Sequence, residues 1–227
     1  MESLGSTDFI EEFGRKLGQG ILVDMTSRAI NHGILGDIES TFSEKERLMV
    51  EELKESGKKV KSTIQNLFMQ ANNLKGFVLA GGCFASYYHA ESIKDYDVFL
   101  LDIGTNTGYD LLEKYLHNTS MLASRFKYGS STYLNNCNNN GKITKTVFDT
   151  ITKIQYVYTK FKTREELIDH FDCEHACISM DLHTDKLYTS KLSYHCMTNK
   201  IVMPHKQNTI ADWRKKKFFD RGWKVPQ

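Results

Sequence analysis

The run LKGFVLAGGCFASYYHAESIKDYDVFLLD constrains the fold more than any other part of the chain, because Gly81-Gly82 is followed after twelve residues by Asp95-Tyr96-Asp97. The segment Lys75 to Ala80 ends an apolar run at paired glycines, which predicts a buried strand closing in a tight turn. Glycine tolerates backbone angles and close approaches that other residues resist. Beyond the turn, Phe84, Tyr87, Tyr88 and Glu91 recur at helical spacing, so the turn is expected to open a helix. The unpaired N–H groups and positive dipole end of such a helix suit a phosphate. Tyr96 to Leu101 is rich in β-formers, and a strand there sets Asp95 and Asp97 on one face. Two neighbouring carboxylates are hard oxygen donors fit for Mg²⁺ or Mn²⁺.

Strand, Gly-Gly, helix and an Asp-x-Asp that opens a second strand resemble the nucleotidyltransferase core of the DNA polymerase beta-like superfamily. The version most similar is the head of the CCA-adding and poly(A)-polymerase enzymes. Downstream, FDCEHACISMDL from Phe171 and WRKKKFFDRGW from Trp213 look like the later part of small, often virus- or phage-encoded members. The resemblance covers about residues 71–223 through short motifs. It implies an α+β fold, a mixed β-sheet flanked by helices, joined here by an N-terminal helical layer and a basic C-terminal helix. It also implies metal-dependent transfer of a nucleoside monophosphate from an NTP to a hydroxyl of RNA, protein or a small molecule.

Such chemistry neutralises phosphate charge with two ions about 3.5–4 Å apart. Asp95 and Asp97 are the expected ligands, and a third carboxylate on a neighbouring strand normally completes the set. Asp172 is the first choice, since it opens a strand-like run and matches the Phe-Asp of the small relatives. On a strand from Asp172 to Met180, Glu174 shares its face and is the reserve. Asp149, in KTVFDTI, is a further choice. Gly81 and Gly82 are expected to hold the triphosphate by backbone N–H groups, with Cys83 where many superfamily members place Ser. A thiol is a weak donor, and Ser86 is expected to compensate. Arg214, Lys217 and Arg221 lie at i, i+3 and i+7, so one helix face carries three cations toward a triphosphate or nucleic-acid strand.

The chain departs from the CCA-adding pattern in two places. Ala85-Ser86 stands where those enzymes carry Arg-Asp, and the Glu-Asp-x-x-Arg segment that templates C and A is missing. Nucleotidyl transfer is therefore the expectation, with the acceptor open. The alternative is a nucleotide- or nucleic-acid-binding module that keeps the fold without turnover, suggested by Cys83 and the uncertain third carboxylate.

Charge is uneven. Residues 206–227 hold seven basic and two acidic residues, a net of +5, so the remainder is about −3 in a chain of net +2. A basic end on an acidic body suits an anionic partner. The 227 residues, 40% hydrophobic, suffice for one core with smaller attachments. The organisation expected is a helical accessory region at 1–70, a catalytic core at 71–185 and a basic helical segment at 186–227. Ser43 to Glu46 forms a capping box ahead of a helical stripe through Leu53, Val60 and Ile64. Without a membrane-length apolar run, and with five scattered cysteines, the protein is expected in the cytoplasm, that of the host if phage-encoded.

A zinc site is a competing reading of His170, Cys173, His175 and Cys177. On a straight strand, Cys173, His175 and Cys177 would stand about 6–7 Å apart along one face and could not wrap a tetrahedral ion. Small buried thiols are the preferred account.

Overall fold

The structure, a computed structural model, describes residues 43–68, 74–104, 108–118, 124–129 and 141–225. The expected helical reading of residues 1–42 lies outside them. The first helix, α1 (Glu44–Phe68), begins at the capping box: the Ser43 backbone N–H and hydroxyl both donate to Glu46 Oε2, at 2.7 and 2.8 Å. Its apolar stripe buries Val50, Leu53, Val60 and Ile64 against the sheet, and its other face alternates Glu and Lys. Gly57 interrupts that stripe, although glycine within a helix costs about 1 kcal/mol relative to alanine. A Cβ there would sit 2.1 Å from Met180 Sδ, so the missing side chain lets the helix lie directly on the sheet.

The remaining elements are β1 (Phe77–Ala80), α2 (Gly82–Tyr88), β2 (Tyr96–Leu100), α3 (Gly108–Asn118), β3 (Phe126–Tyr128), β4 (Ile143–Asp149), β5 (Ile154–Thr159) and α4 (Arg164–Asp169). A 3-10 turn at Glu174–Ala176, β6 (Ser179–Asp181), β7 (Lys186–Tyr188), α5 (Lys191–Thr198) and α6 (Asp212–Phe219) complete the order. One seven-stranded sheet runs β3-β4-β5-β2-β1-β6-β7. Only β2 and β5 pair in parallel; the other neighbours are antiparallel, which makes the sheet mixed. The fold is the expected α+β arrangement, and β7 extends the sheet beyond residue 185.

Strand alternation divides the core. Phe77, Leu79, Val98, Leu100, Tyr156 and Met180 join the apolar face of α1 and residues of α2 and α5. Val78, Ala80, Phe99, Leu101 and Val157 form a second cluster with Leu167 and Ile168 of α4. Asp97 alternates in phase with Phe99 and Leu101, so it belongs to the α4 side of the sheet. The register sets it opposite Ala80 of β1 and Gln155 of β5.

One expected strand is replaced. Residues 172–180 were expected to run straight with Asp172 and Glu174 on one face, but the chain makes a single bridge at Cys173, turns through the 3-10 segment and forms a strand only from Ser179. The cause is the C-terminal segment. Glu174 N–H donates to Met203 O (2.9 Å) and His205 N–H to Asp172 O (3.0 Å), so this stretch pairs with residues 203–205 before it reaches the sheet.

Candidate active site

The site begins at the junction of β1 and α2. Gly81 has φ 96° and ψ −154°, a conformation essentially confined to glycine. A Cβ built on it would lie 3.6 Å from Asp97 Oδ2, so the turn packs beside the carboxylate. The Gly81 N–H donates to Ile178 O at 3.3 Å and is part of the framework. Gly82 faces open space, with no atom within 4 Å of a built Cβ.

Asp97 is half-buried in β2, and Asp95 is exposed just before the strand. Burial and the neighbouring Asp95 charge push the Asp97 carboxyl up to about 7, against the opposing pull of Arg214 and Lys217. Phe171 packs on Phe99, ring centroids 5.5 Å apart, which carries the chain at Phe171-Asp172 over the Asp97 face of the sheet. There Asp172 Oδ2 forms an ion pair with Arg214, 2.8 Å from Nε. Arg214 is raised above its ordinary value despite burial, by Asp172, Cys173 and Asp97. It therefore bridges two of the expected acidic residues electrostatically.

The cations gather on the same side. Lys217 is held below its ordinary value by desolvation and by Arg214, Arg221 and Lys94, with Asp95 pulling the other way. Arg221 Nη2 donates to Ser86 Oγ at 3.2 Å and pairs closely with Glu91, whose other oxygen takes Lys200 at 2.7 Å. Ser86 thus positions Arg221. Cys83, buried, directs its thiol back to Ala80 O at 3.9 Å, and burial followed by the Asp97 charge raises its pKa far above the ordinary thiol value.

The other expected carboxylates go elsewhere. Asp149 is fully buried in a bidentate pair with Arg125, 2.9 Å from Nε and 2.6 Å from Nη2, and also caps the backbone N–H of Ile151. Glu174 is buried and accepts from His205 Nδ1 (2.8 Å) and Ser193 Oγ (3.0 Å). Among the described residues, Asp95, Asp97 and Asp172 are not gathered into a three-ligand group; the group whose donor atoms all lie within 4.8 Å of one another is Glu174, Cys177 and His205. The strand beside Asp97 offers a neutral amide, Gln155, where a third carboxylate would be sought. Sequence reasoning missed this and the Asp172–Arg214 pair, because neither follows from local spacing.

The competing zinc reading's residues, His170, Cys173, His175 and Cys177, form no ligand group together among the described residues. His170 is exposed and bonded through Nδ1 to Glu166 O, while His175 is wedged between the Phe218 and Trp223 rings at 4.6 and 4.4 Å. No helix among the described residues is long and apolar enough to cross a membrane.

Comparison with solved structures gives the same architecture. A CCA-adding enzyme in complex with ATP superposes with a TM-score of 0.50 at 12% identity, over 78% of this chain and 43% of that one. A CCA-adding enzyme with CTP gives 0.49 at 12% identity, over 78% and 43%, and the Thermotoga maritima enzyme complexed with tRNA gives 0.48 at 12%, over 73% and 40%. The chain spans about two-fifths of the length of these enzymes, and its fold is of the polymerase beta-like nucleotidyltransferase type. No curated protein matches in sequence. The profile of the Gabija anti-defense 2 family protein matches residues 39–200, most of the chain, and the protein belongs to that family.

Proposed function

We propose that the protein is a metal-dependent nucleotidyltransferase that moves a nucleoside monophosphate from an NTP to a hydroxyl acceptor, and that it serves the anti-defence role in its family's name through this chemistry. The observation that carries the reading is the separation of charge within one site. Burial and the Asp95 charge raise Asp97 to about 7, while burial and the charges of Arg214, Arg221 and Lys94 lower Lys217. A nucleotide bound with a divalent cation relieves both at once, the cation at the acids and the polyphosphate at the bases.

The donor set fits Mg²⁺ or Mn²⁺, because Asp95 and Asp97 are hard oxygen donors whose mutual repulsion an ion removes. When bound, such an ion neutralises charge on the transferring phosphoryl group and polarises the bond that breaks. The chain supplies the rest. Gly81 holds the β1–α2 turn against Asp97, and Gly82 leaves room beside it for phosphate oxygens. Arg214 is aimed by Asp172 and Arg221 by Ser86 and Glu91, so two guanidinium groups are fixed before a nucleotide arrives. Asp172 enters this reading as the residue that orients Arg214 and as the candidate third carboxylate. It can accept the acceptor hydroxyl's proton once the anionic nucleotide competes for Arg214. The acceptor is RNA, a protein or a small molecule.

Purified protein with Mg²⁺ or Mn²⁺ and α-labelled NTPs is expected to label an acceptor, and Asp95→Ala and Asp97→Ala to abolish labelling. Labelling that survives both substitutions contradicts the mechanism. A second reading, nucleotide binding without turnover, is favoured by one observation: Gln155 opposite Asp97 and the Asp172–Arg214 pair leave the third carboxylate uncommitted. Calorimetric titration separates the two, since metal-dependent NTP binding with no product supports the binding module.

A further inference from the structure

A second donor cluster lies apart from the acidic pair. Glu174, Cys177 and His205 are 7%, 0% and 4% exposed, and one donor atom from each lies within 4.8 Å of the other two. The objection to zinc in this stretch was geometrical: a straight strand spreads its side chains too far apart. The structure removes it by folding the stretch into a 3-10 turn, closed by Cys177 N–H donating to Glu174 O at 2.9 Å. In such a turn residues i and i+3 eclipse, which brings Glu174 and Cys177 to the same side. His205 comes from far along the chain and is delivered by backbone pairing, the Cys173–Pro204 bridge and the His205 N–H bond to Asp172 O at 3.0 Å. Two segments are therefore locked in register before any ion binds.

We propose that Glu174, Cys177 and His205 form a structural zinc site that clamps the C-terminal basic segment to the core. The donor chemistry is that of zinc, one thiolate, one imidazole and one carboxylate. The charge also suits burial: Cys177 as thiolate and Glu174 as carboxylate cancel the two positive charges of the ion, with His205 neutral. Binding releases the Cys177 thiol proton to solvent and replaces the His205–Glu174 hydrogen bond by bonds to the metal. A tetrahedral ion with bonds of about 2.0–2.3 Å holds its donors roughly 3.3–3.6 Å apart. The His205–Glu174 contact, now 2.8 Å, needs to open by a fraction of an ångström. Ser193, which donates to Glu174 Oε2 at 3.0 Å, fixes the carboxylate from α5 as an outer partner. A water completes the four-coordinate set and leaves the charge balance unchanged.

The test uses the full chain. The protein is freed of metal, given Zn²⁺, dialysed and assayed for metal, and in parallel loaded with Co²⁺ and examined by absorption. The expected result is about one tightly held zinc per chain and a thiolate-to-cobalt charge-transfer band. Cys177→Ser should abolish the band and His205→Gln should weaken zinc binding by at least about 10-fold, whereas Asp97→Asn should leave both intact. If a ligand variant fails to fold, the wild-type protein still decides. A folded wild type that retains no zinc and shows no band with Co²⁺ overturns the proposal, as does a band that survives Cys177→Ser in a folded protein. Because Asp97→Asn disables the proposed reaction without touching these ligands, failure of one reading is distinguishable from failure of the other.

Discussion

The two glycines of the β1–α2 turn are adjacent in sequence and do different work. Gly81 occupies a backbone region that a side chain enters at a cost of about 1–3 kcal/mol, and a Cβ built on it would meet Asp97 Oδ2 at van der Waals distance. Gly81→Ala is therefore expected to destabilise the protein by about that amount in urea unfolding, and to shift Asp97 as well. Gly82 has ordinary backbone angles and open space around it, so Gly82→Ala should leave unfolding unchanged or slightly raise stability. A loss of nucleotide affinity in that folded variant would place the substrate against the turn. Unchanged affinity would count against phosphate at Gly82. The glycines and the acidic pair were legible in the sequence because they act through local conformation. The partners of Cys83, Ser86 and Asp172 were not, since Ala80 O, Arg221 and Arg214 are brought to them by the fold.

At the scale of elements, the capped helix α1 and the β1–turn–α2 sequence follow from periodicity and capping. The run 171–180 does not. Its alternation suits a strand, but pairing with residues 203–205 bends it, and no local pattern announces a partner that far along the chain. Asp149 shows the same limit. It looked like a metal ligand at a strand end, and it is the buried clasp that joins the β4–β5 turn to Arg125 ahead of β3. Removing it in Asp149→Ala leaves the Arg125 charge poorly paired, at a cost of about 3–5 kcal/mol. The carboxyl is held below its ordinary value of 3.8: burial alone would raise it, but Arg125, Thr152 and the Ile151 N–H prevail. Its stabilisation is thus present in full well above pH 3.8 and is lost as pH falls through the lower folded value. Denaturation followed from pH 6 down to about pH 3 should show this acid-side loss in the wild type and a flatter profile in Asp149→Asn. Parallel profiles would show that the pair does not govern acid stability.

Across the whole molecule, the central strands of the sheet and the basic C-terminal segment bring opposite charges together without cancelling. The basic C-terminal segment supplies Arg214, Lys217 and Arg221, and the start of the central strand β2 supplies Asp95 and Asp97. Lys217→Ala is expected to weaken NTP binding about 10-fold, or ~1.4 kcal/mol, with a smaller dependence on salt. Equal salt dependence in wild type and variant would remove Lys217 from the phosphate site. The central claim is that the acidic pair carries metal-dependent nucleotidyl transfer. Its most direct test is the amount of labelled nucleoside monophosphate transferred in Mg²⁺ by the wild type and by folded Asp97→Ala. The account predicts transfer by the wild type that falls to background in the variant and without divalent metal; equal transfer by both proteins would contradict it.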